Sequence, residues 1–158
     1  MWSTRRVFLA TALSAGIAAT APAAFADGHA TPEQAEAFAK KAAAYVKQVG
    51  TDKAFAAFTN DPAWHDGELF VYAYNFKGIC VANGGVAKLV GVDMSQAKDP
   101  ITGGEIVMIQ VAIAKDKGEG WHEYHFSNPA SKKIEKKKTY VIRAGGDYYV
   151  GVGAYMAN

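Results

Sequence analysis

The spacing of apolar residues changes once along the chain, near Gly67, and this change limits the available folds more than any other feature. Before it, Ala35, Phe38, Ala42, Tyr45, Val46 and Val49 recur three and four residues apart, with Lys40, Lys41, Lys47 and Gln48 between them. That spacing lays one apolar stripe along a helix. After it, Leu69-Phe70-Val71-Tyr72-Ala73-Tyr74 is aromatic and β-branched, the chemistry of a pleated strand. Helices first and strands later, joined by short links, predict an α+β domain with an antiparallel sheet.

Local signals set the boundaries. Thr31-Pro32-Glu33-Gln34 offers a capping threonine, a proline at the first helical position and a carboxamide three residues on, which predicts a helix over 31–50. A second, shorter helix over 52–60 would bury Phe55 and Phe58, and Asp61-Pro62 ends it. A turn at 75–78 reverses the first strand, and Ile79-Cys80-Val81-Ala82 returns as the other half of a hairpin. Glycines and Asp99-Pro100 punctuate 84–104, which reads as a lid of loops and short turns. Residues 106–114 are ambiguous, being β-branched yet with Ile106, Ile109 and Ile113 on one helical face. Three strands, over 121–126, 138–143 and 148–155, then form a meander.

The first 26 residues have the grammar of an export leader: a basic start, an alanine-rich apolar run and the small-x-small site Ala24-Phe25-Ala26, with cleavage before Asp27. Thr4-Arg5-Arg6-Val7-Phe8-Leu9 is similar to a twin-arginine signal. A general secretory leader, or an uncleaved anchor over 7–24, are the alternatives; alanines and Pro22 make that stretch weakly apolar for an anchor. One domain is expected over 27–158, at the periplasm or beyond.

Composition excludes several functions. Without Arg5 and Arg6 the chain carries 15 basic and 15 acidic residues, so binding nucleic acid through phosphate neutralisation is not expected. One cysteine, Cys80, forms no internal disulfide, and it reads as a small buried residue rather than a reactive thiol. No nucleophile motif, paired carboxylates or phosphate-binding glycine loop is present, so neither an enzyme nor a cofactor is expected. His122 and His125 flank Glu123, but positions three apart on a strand face opposite ways, which argues against a metal site or a catalytic pair there.

The run Gly120-Trp121-His122-Glu123-Tyr124-His125-Phe126-Ser127-Asn128-Pro129, then Lys137 ahead of Tyr140-Val141, then Gly151-Val152-Gly153-Ala154-Tyr155, resembles the single Cache domain, type 2. Phe70-Val71-Tyr72-Ala73-Tyr74 before Lys77-Gly78, Leu89-Val90-Gly91 and Asp99-Pro100 fall in that family's order, and the resemblance spans 31–155. It implies a PAS-like fold, with a long first helix on one face of an antiparallel sheet and a pocket on the other, under 84–104. It also implies that 106–117 is a helix.

The resemblance further implies a sensory role toward small organic anions such as acetate, propionate or pyruvate, with a membrane receptor or histidine kinase as partner. It implies pairing of two copies through the first helix as well. A partner-docking subunit with a vestigial pocket is the alternative. The period of two puts Tyr72 and Tyr74 on one strand face, and His122, Tyr124 and Phe126 on another. The expected ligand-binding residues are Tyr72, Tyr74, Trp121, His122, Tyr124, Lys137 and Tyr140, with Lys137 supplying the positive charge. A ligand of four to six heavy atoms gains at most about 1.5 kcal/mol per atom, so affinity no tighter than roughly micromolar is expected.

Overall fold

A computed structural model describes residues 29–156. The export leader expected over 1–26, and its cleavage point before Asp27, lie outside the described residues. None of the described helices is long and apolar enough to cross a membrane.

Helix α1 (Pro32–Val49) starts as its sequence dictates. Thr31 Oγ1 accepts from Gln34 N at 3.2 Å, and Gln34 Oε1 accepts from Thr31 N at 2.8 Å. Gly50, at φ 85°, turns the chain into α2 (Thr51–Asn60), and Asp61 stops α2, its carboxylate accepting from Ala63 N. A single turn over Pro62–Trp64 then buries Trp64 between Phe38, Tyr45 and Phe58.

The expected first strand is divided in two. β1 (His65–Asp66) and β2 (Leu69–Phe70) form a separate small ribbon, and β3 (Tyr72–Asn75) begins only after Val71. Val71 uses its backbone elsewhere, donating to Trp64 O and accepting from Gly84 N, so neither ribbon continues through it. Asn75 Oδ1 accepts from Lys77 N and Ile79 N to form the expected turn, and β4 (Cys80–Asn83) returns.

Helix α3 (Val107–Asp116) resolves the ambiguous segment as helix. Propensity yields to packing: Val107, Val111 and Ala114 are buried against the sheet together with Gln110. β5 (Glu119–Ser127), β6 (Ile134–Arg143) and β7 (Tyr148–Tyr155) complete a five-stranded antiparallel sheet in the order β4-β3-β7-β6-β5. β6 begins four residues before its expected start because it pairs with β5 along the whole length, from Ser127 opposite Ile134 to Glu119 opposite Ile142.

Two cores sit on the two faces of this sheet. On one, α1 and α2 cover Ala73, Val150, Val152, Ala154 and Tyr140. On the other, α3 and the 84–106 segment cover Tyr72, Tyr74, Tyr124, Val141 and Tyr149. Alternation along the strands makes this division, and it decides which candidate residues meet.

Candidate ligand site

The cavity lies on the α3 face. Its floor is the central strand β7, where Tyr149, Gly151, Gly153 and Tyr155 point the same way by alternation. The two glycines leave the floor bare. A methyl at Gly151 would collide with the Tyr72 ring, and one at Gly153 with Lys137 Cε and Thr139 Oγ1. Their absence of side chains lets the Tyr72 ring and the Lys137 stem lie flat across the sheet.

Walls and roof come from every element on this side. Phe70, Tyr72 and Tyr74 stand on one side, Tyr124 and Phe126 on the other, and Tyr155 with Lys137 close the end toward Pro129. Val86, Leu89, Met94 and Ala97 form the roof, with Ile106, Val107 and Gln110 of α3 beside them. The cavity measures about 30 Å³, room for roughly two water molecules at about 10–15 Å³ each.

The roof is tied to both edges of the sheet. Cys80 N donates to Val92 O, Gly91 N to Cys80 O and Met94 N to Gly78 O, so the segment pairs with the outer edge of the β4 hairpin. At the opposite edge the buried Asp99 carboxylate accepts from Ile101 N, Thr102 N and His125 N at 2.8–3.0 Å, and lies 3.1 Å from His125 Nδ1. Burial opposes ionisation of Asp99, but these donors outweigh it and hold the carboxyl well below its usual range.

Lys137 is the one candidate whose environment is electrostatically out of balance. It lies in a run of lysines, but the strand period separates it from its neighbours. Lys136 and Lys138 point to the other face and pair with Glu123 at 2.7 and 3.4 Å, whereas Lys137 points inward and is 2% exposed. Among the described residues its ammonium makes no ion pair and no hydrogen bond. Among the described residues no sealed side-chain nitrogen or oxygen lacks a partner, and Lys137 lines the cavity, so Nζ faces its space.

Three rings surround that nitrogen, Phe70 at 4.4 Å, Tyr155 at 4.7 Å and Tyr72 at 5.7 Å from their centroids. Their faces replace part of the hydration it has lost. Burial nevertheless pulls the lysine down from 10.5 to about 7, with Glu68 opposing at a distance.

The hydroxyls around it are mostly committed. Gln110 Oε1 accepts from Tyr72 Oη at 3.1 Å and from Tyr149 Oη at 3.0 Å, and Gln110 Nε2 lies 3.4 Å from His122 Nδ1. Tyr155 Oη donates to Ser127 O at 2.9 Å. Tyr124 Oη, 3.4 Å from Thr139 Oγ1, is more loosely held. Burial raises the phenols of Tyr72, Tyr74, Tyr124 and Tyr149, so all are neutral donors at physiological pH. Cys80 is buried beside them, its thiol pushed up to about 11 by burial, the state of an inert side chain.

Of the seven expected residues, Tyr72, Tyr74, Tyr124 and Lys137 converge on the cavity. Three do not line it. Trp121 and Tyr140 stand opposite each other on β5 and β6 with rings 4.8 Å apart, and both point to the α1 face. Trp121 lies three residues from Tyr124 along β5 and Tyr140 three from Lys137 along β6, an odd spacing that puts them on opposite faces. His122 is on the correct face but lies outside the cavity, stacked on Tyr124 with centroids 5.0 Å apart, and burial lowers its basicity. His125 faces Asp99 at the sheet edge, so the two histidines have separate partners.

The sequence reading passed over Phe70, Gln110, Phe126 and Tyr155 as site residues. Gln110 was the most detectable, as the lone polar residue in an apolar run from Ile106 to Ala114. Tyr155 also had a signal, since Gly151, Gly153 and Tyr155 share one parity along β7.

The fold matches known structures. A methyl-accepting chemotaxis protein from Vibrio parahaemolyticus superposes with a TM-score of 0.67 at 15% identity, over 78% of this chain and 86% of that one. A periplasmic sensor domain of a chemotaxis protein gives 0.62 at 20% identity, over 79% and 90%. A Cache chemosensory domain solved for the basis of its carboxylic acid recognition gives 0.61 at 20% identity, over 79% and 88%. At these identities the likeness is one of fold. No curated protein matches the chain in sequence. The family model for single Cache domain 2 matches residues 24–158, which includes every residue the structure describes. The chain therefore belongs to the single Cache domain 2 family.

Proposed function

We propose that this domain is exported by its leader and acts outside the cytoplasm as a binding module, not a catalyst. It takes a short organic anion and presents the occupied state to a partner protein, a membrane receptor or a histidine kinase. One observation carries this reading: a buried ammonium with no carboxylate beside it among the described residues, facing a small aromatic-walled cavity. A ligand carboxylate is the missing counter-ion, and a charge-assisted bond to Lys137 contributes about 1.5–3 kcal/mol. Two displaced waters correspond to about 60 Å³ of liquid, the bulk of a two-carbon acid. Longer acids need the 84–106 roof to lift.

The chemistry of the walls suits such a ligand. Tyr124 and Tyr74 offer neutral phenols, and the apolar rings exclude water from the ion pair. With four heavy atoms, acetate can gain about 6 kcal/mol at most, so its dissociation constant is tens of micromolar or weaker. A thermal-shift series of formate, acetate, propionate and pyruvate at pH 6 tests the proposal. At a hundred times the dissociation constant the ligand adds about 2.7 kcal/mol, which raises the melting point by several degrees. No shift with any acid refutes it.

The small cavity and the three rings already around the ammonium favour a second reading, a docking subunit whose pocket is vestigial. Its mark is capture of a receptor or kinase ectodomain by a protein that no acid stabilises. Pairing of two copies through α1 would have to use its polar side, Glu33, Ala37, Lys40, Ala44 and Lys47, because the apolar stripe is buried on the sheet. Sedimentation of the purified protein decides that point.

A further inference from the structure

A buried amine is a nucleophile as well as a counter-ion, and the surroundings of Lys137 favour that second chemistry. The side chain is 2% exposed, makes no ion pair or hydrogen bond among the described residues, and sets its nitrogen over three ring faces. Apart from Lys137 itself, every residue lining the cavity is uncharged. The phenols that face it from β3, β5 and β7 are all raised by burial, and neither α3 nor the roof adds a titratable group to the lining. His122 lies outside, against Tyr124. The two nearest carboxylates are engaged elsewhere, Glu68 by His29 and Asn128, and Glu135 by Asn128 and Ser131.

A lysine desolvated in this way is the side chain that attacks carbonyl carbons. With its amine lowered to about 7, about half of Lys137 is neutral at pH 7, against about one in a thousand for an exposed lysine. Donors for a carbonyl oxygen are at hand. Tyr124 stands directly opposite Lys137 across the β5–β6 pair, its hydroxyl loosely held. Thr139 Oγ1 lies beside the Lys137 stem over the bare Gly153.

The lining also selects the electrophile. Carbon dioxide would leave a carbamate, an anion against the negative faces of three rings with no cation to meet it. An uncharged aldehyde leaves no charge. The Nζ lone pair bonds to the carbonyl carbon while the π pair moves to oxygen; the C–O bond then breaks, nitrogen forms its second bond to carbon, and both amine hydrogens leave with the oxygen as water. Nothing is oxidised or reduced. With a two-carbon aldehyde only two carbons remain on the nitrogen, which suits a cavity of about 30 Å³.

We infer that Lys137 captures a two-carbon aldehyde reversibly, as an imine held inside the cavity. This rests on the proposed reading of the cavity as a ligand site, but not on the binding of any acid. An acid needs the ammonium and an aldehyde needs the free amine, so the two ligands favour opposite sides of pH 7.

The purified full chain is incubated at pH 7.5 with limiting acetaldehyde and sodium cyanoborohydride, which reduces an imine to an ethylamine, and the lysines are mapped by peptide mass spectrometry. Lys137 should carry the ethyl group at least tenfold more than its exposed neighbours Lys136 and Lys138; equal or weaker labelling overturns the inference. Above pH 8 that preference should shrink about tenfold per pH unit, because the neighbours gain free amine and Lys137 has no more to gain. A preference that stays constant to pH 10 shows that a neutral Lys137 is not its source, and overturns the inference too. Lys137→Met should leave Lys136 and Lys138 labelled as before. Excess acetate at pH 6.5 separates this inference from the acid reading. Preferential labelling that acetate leaves unchanged upholds aldehyde capture and counts against the acid, whereas acetate binding without preferential labelling upholds the acid and ends the case for the imine.

Discussion

Anion binding at Lys137 should take up a proton, and this follows from the burial of its amine. The side chain is 2% exposed, has no ion-pair partner among the described residues, and is lowered from 10.5 to about 7. At about 1.4 kcal/mol per tenfold, that displacement corresponds to roughly 5 kcal/mol against the charged form in the empty domain. A bound carboxylate favours the charged form and returns the lysine toward its ordinary range. At pH 8 about nine-tenths of empty molecules carry a neutral Lys137, so binding acetate takes up close to one proton; at pH 6 it takes up about one-tenth.

Calorimetry of acetate binding in buffers of different ionisation enthalpy reads this number directly. Affinity should fall about tenfold per pH unit above pH 7. The empty domain behaves the other way. Its unfolded chain holds the lysine proton up to about pH 10.5 while the native state releases it near pH 7, so its stability rises with pH between those limits. Lys137→Met removes both effects. It should abolish acetate binding, stabilise the empty domain at pH 6 by about 1–4 kcal/mol, and give less advantage at pH 9. Proton uptake near zero at pH 8, with an affinity that is flat from pH 6 to 8.5, would refute the argument that the ligand is the missing counter-ion.

Other substitutions separate the two faces of the sheet. Tyr140→Phe, on the α1 face, should leave acetate affinity within twofold while changing stability by no more than about 1.5 kcal/mol, as urea denaturation and a binding isotherm would show. Gly153→Ala places a methyl against Lys137 and Thr139 on the cavity floor; we expect about 1–3 kcal/mol of destabilisation by urea and loss of acetate binding at any pH. Asp99→Ala removes the acceptor of three backbone donors and should cost about 2 kcal/mol, with faster amide exchange confined to the roof near Ile101 and Thr102. An unchanged exchange rate there would show that the roof is held by its β4 edge alone.

Much of this molecule follows from local chemistry. The capping box at Thr31 and Gln34, the stop at Asp61-Pro62, the Asn75 turn and the parity of β7 depend on neighbours a few residues away, and each was legible in the order of residues. Residues 106–117 show where such reading fails. Their β-branched side chains and the helical spacing of Ile106, Ile109 and Ile113 leave strand and helix both open, and burial of Val107, Val111 and Ala114 against the sheet selects the helix. The site divides the same way. Period-two reasoning correctly put Tyr72 with Tyr74 and kept His122 apart from His125, yet Trp121 and Tyr140 went to the wrong side because their motif was read without the parity that Tyr124 and Lys137 impose.

Sequence alone determined that the chain makes helices and then an antiparallel sheet, because capping, turn chemistry and side-chain period act over short distances. Tertiary structure alone decided that Lys137, among five charged neighbours in the run 132–138, loses its water. Burial depends on what arrives from elsewhere in the chain: Gly153 of β7 beneath it, rings from β2, β3 and β7 around it, and, among the described residues, no carboxylate in ion-pair contact.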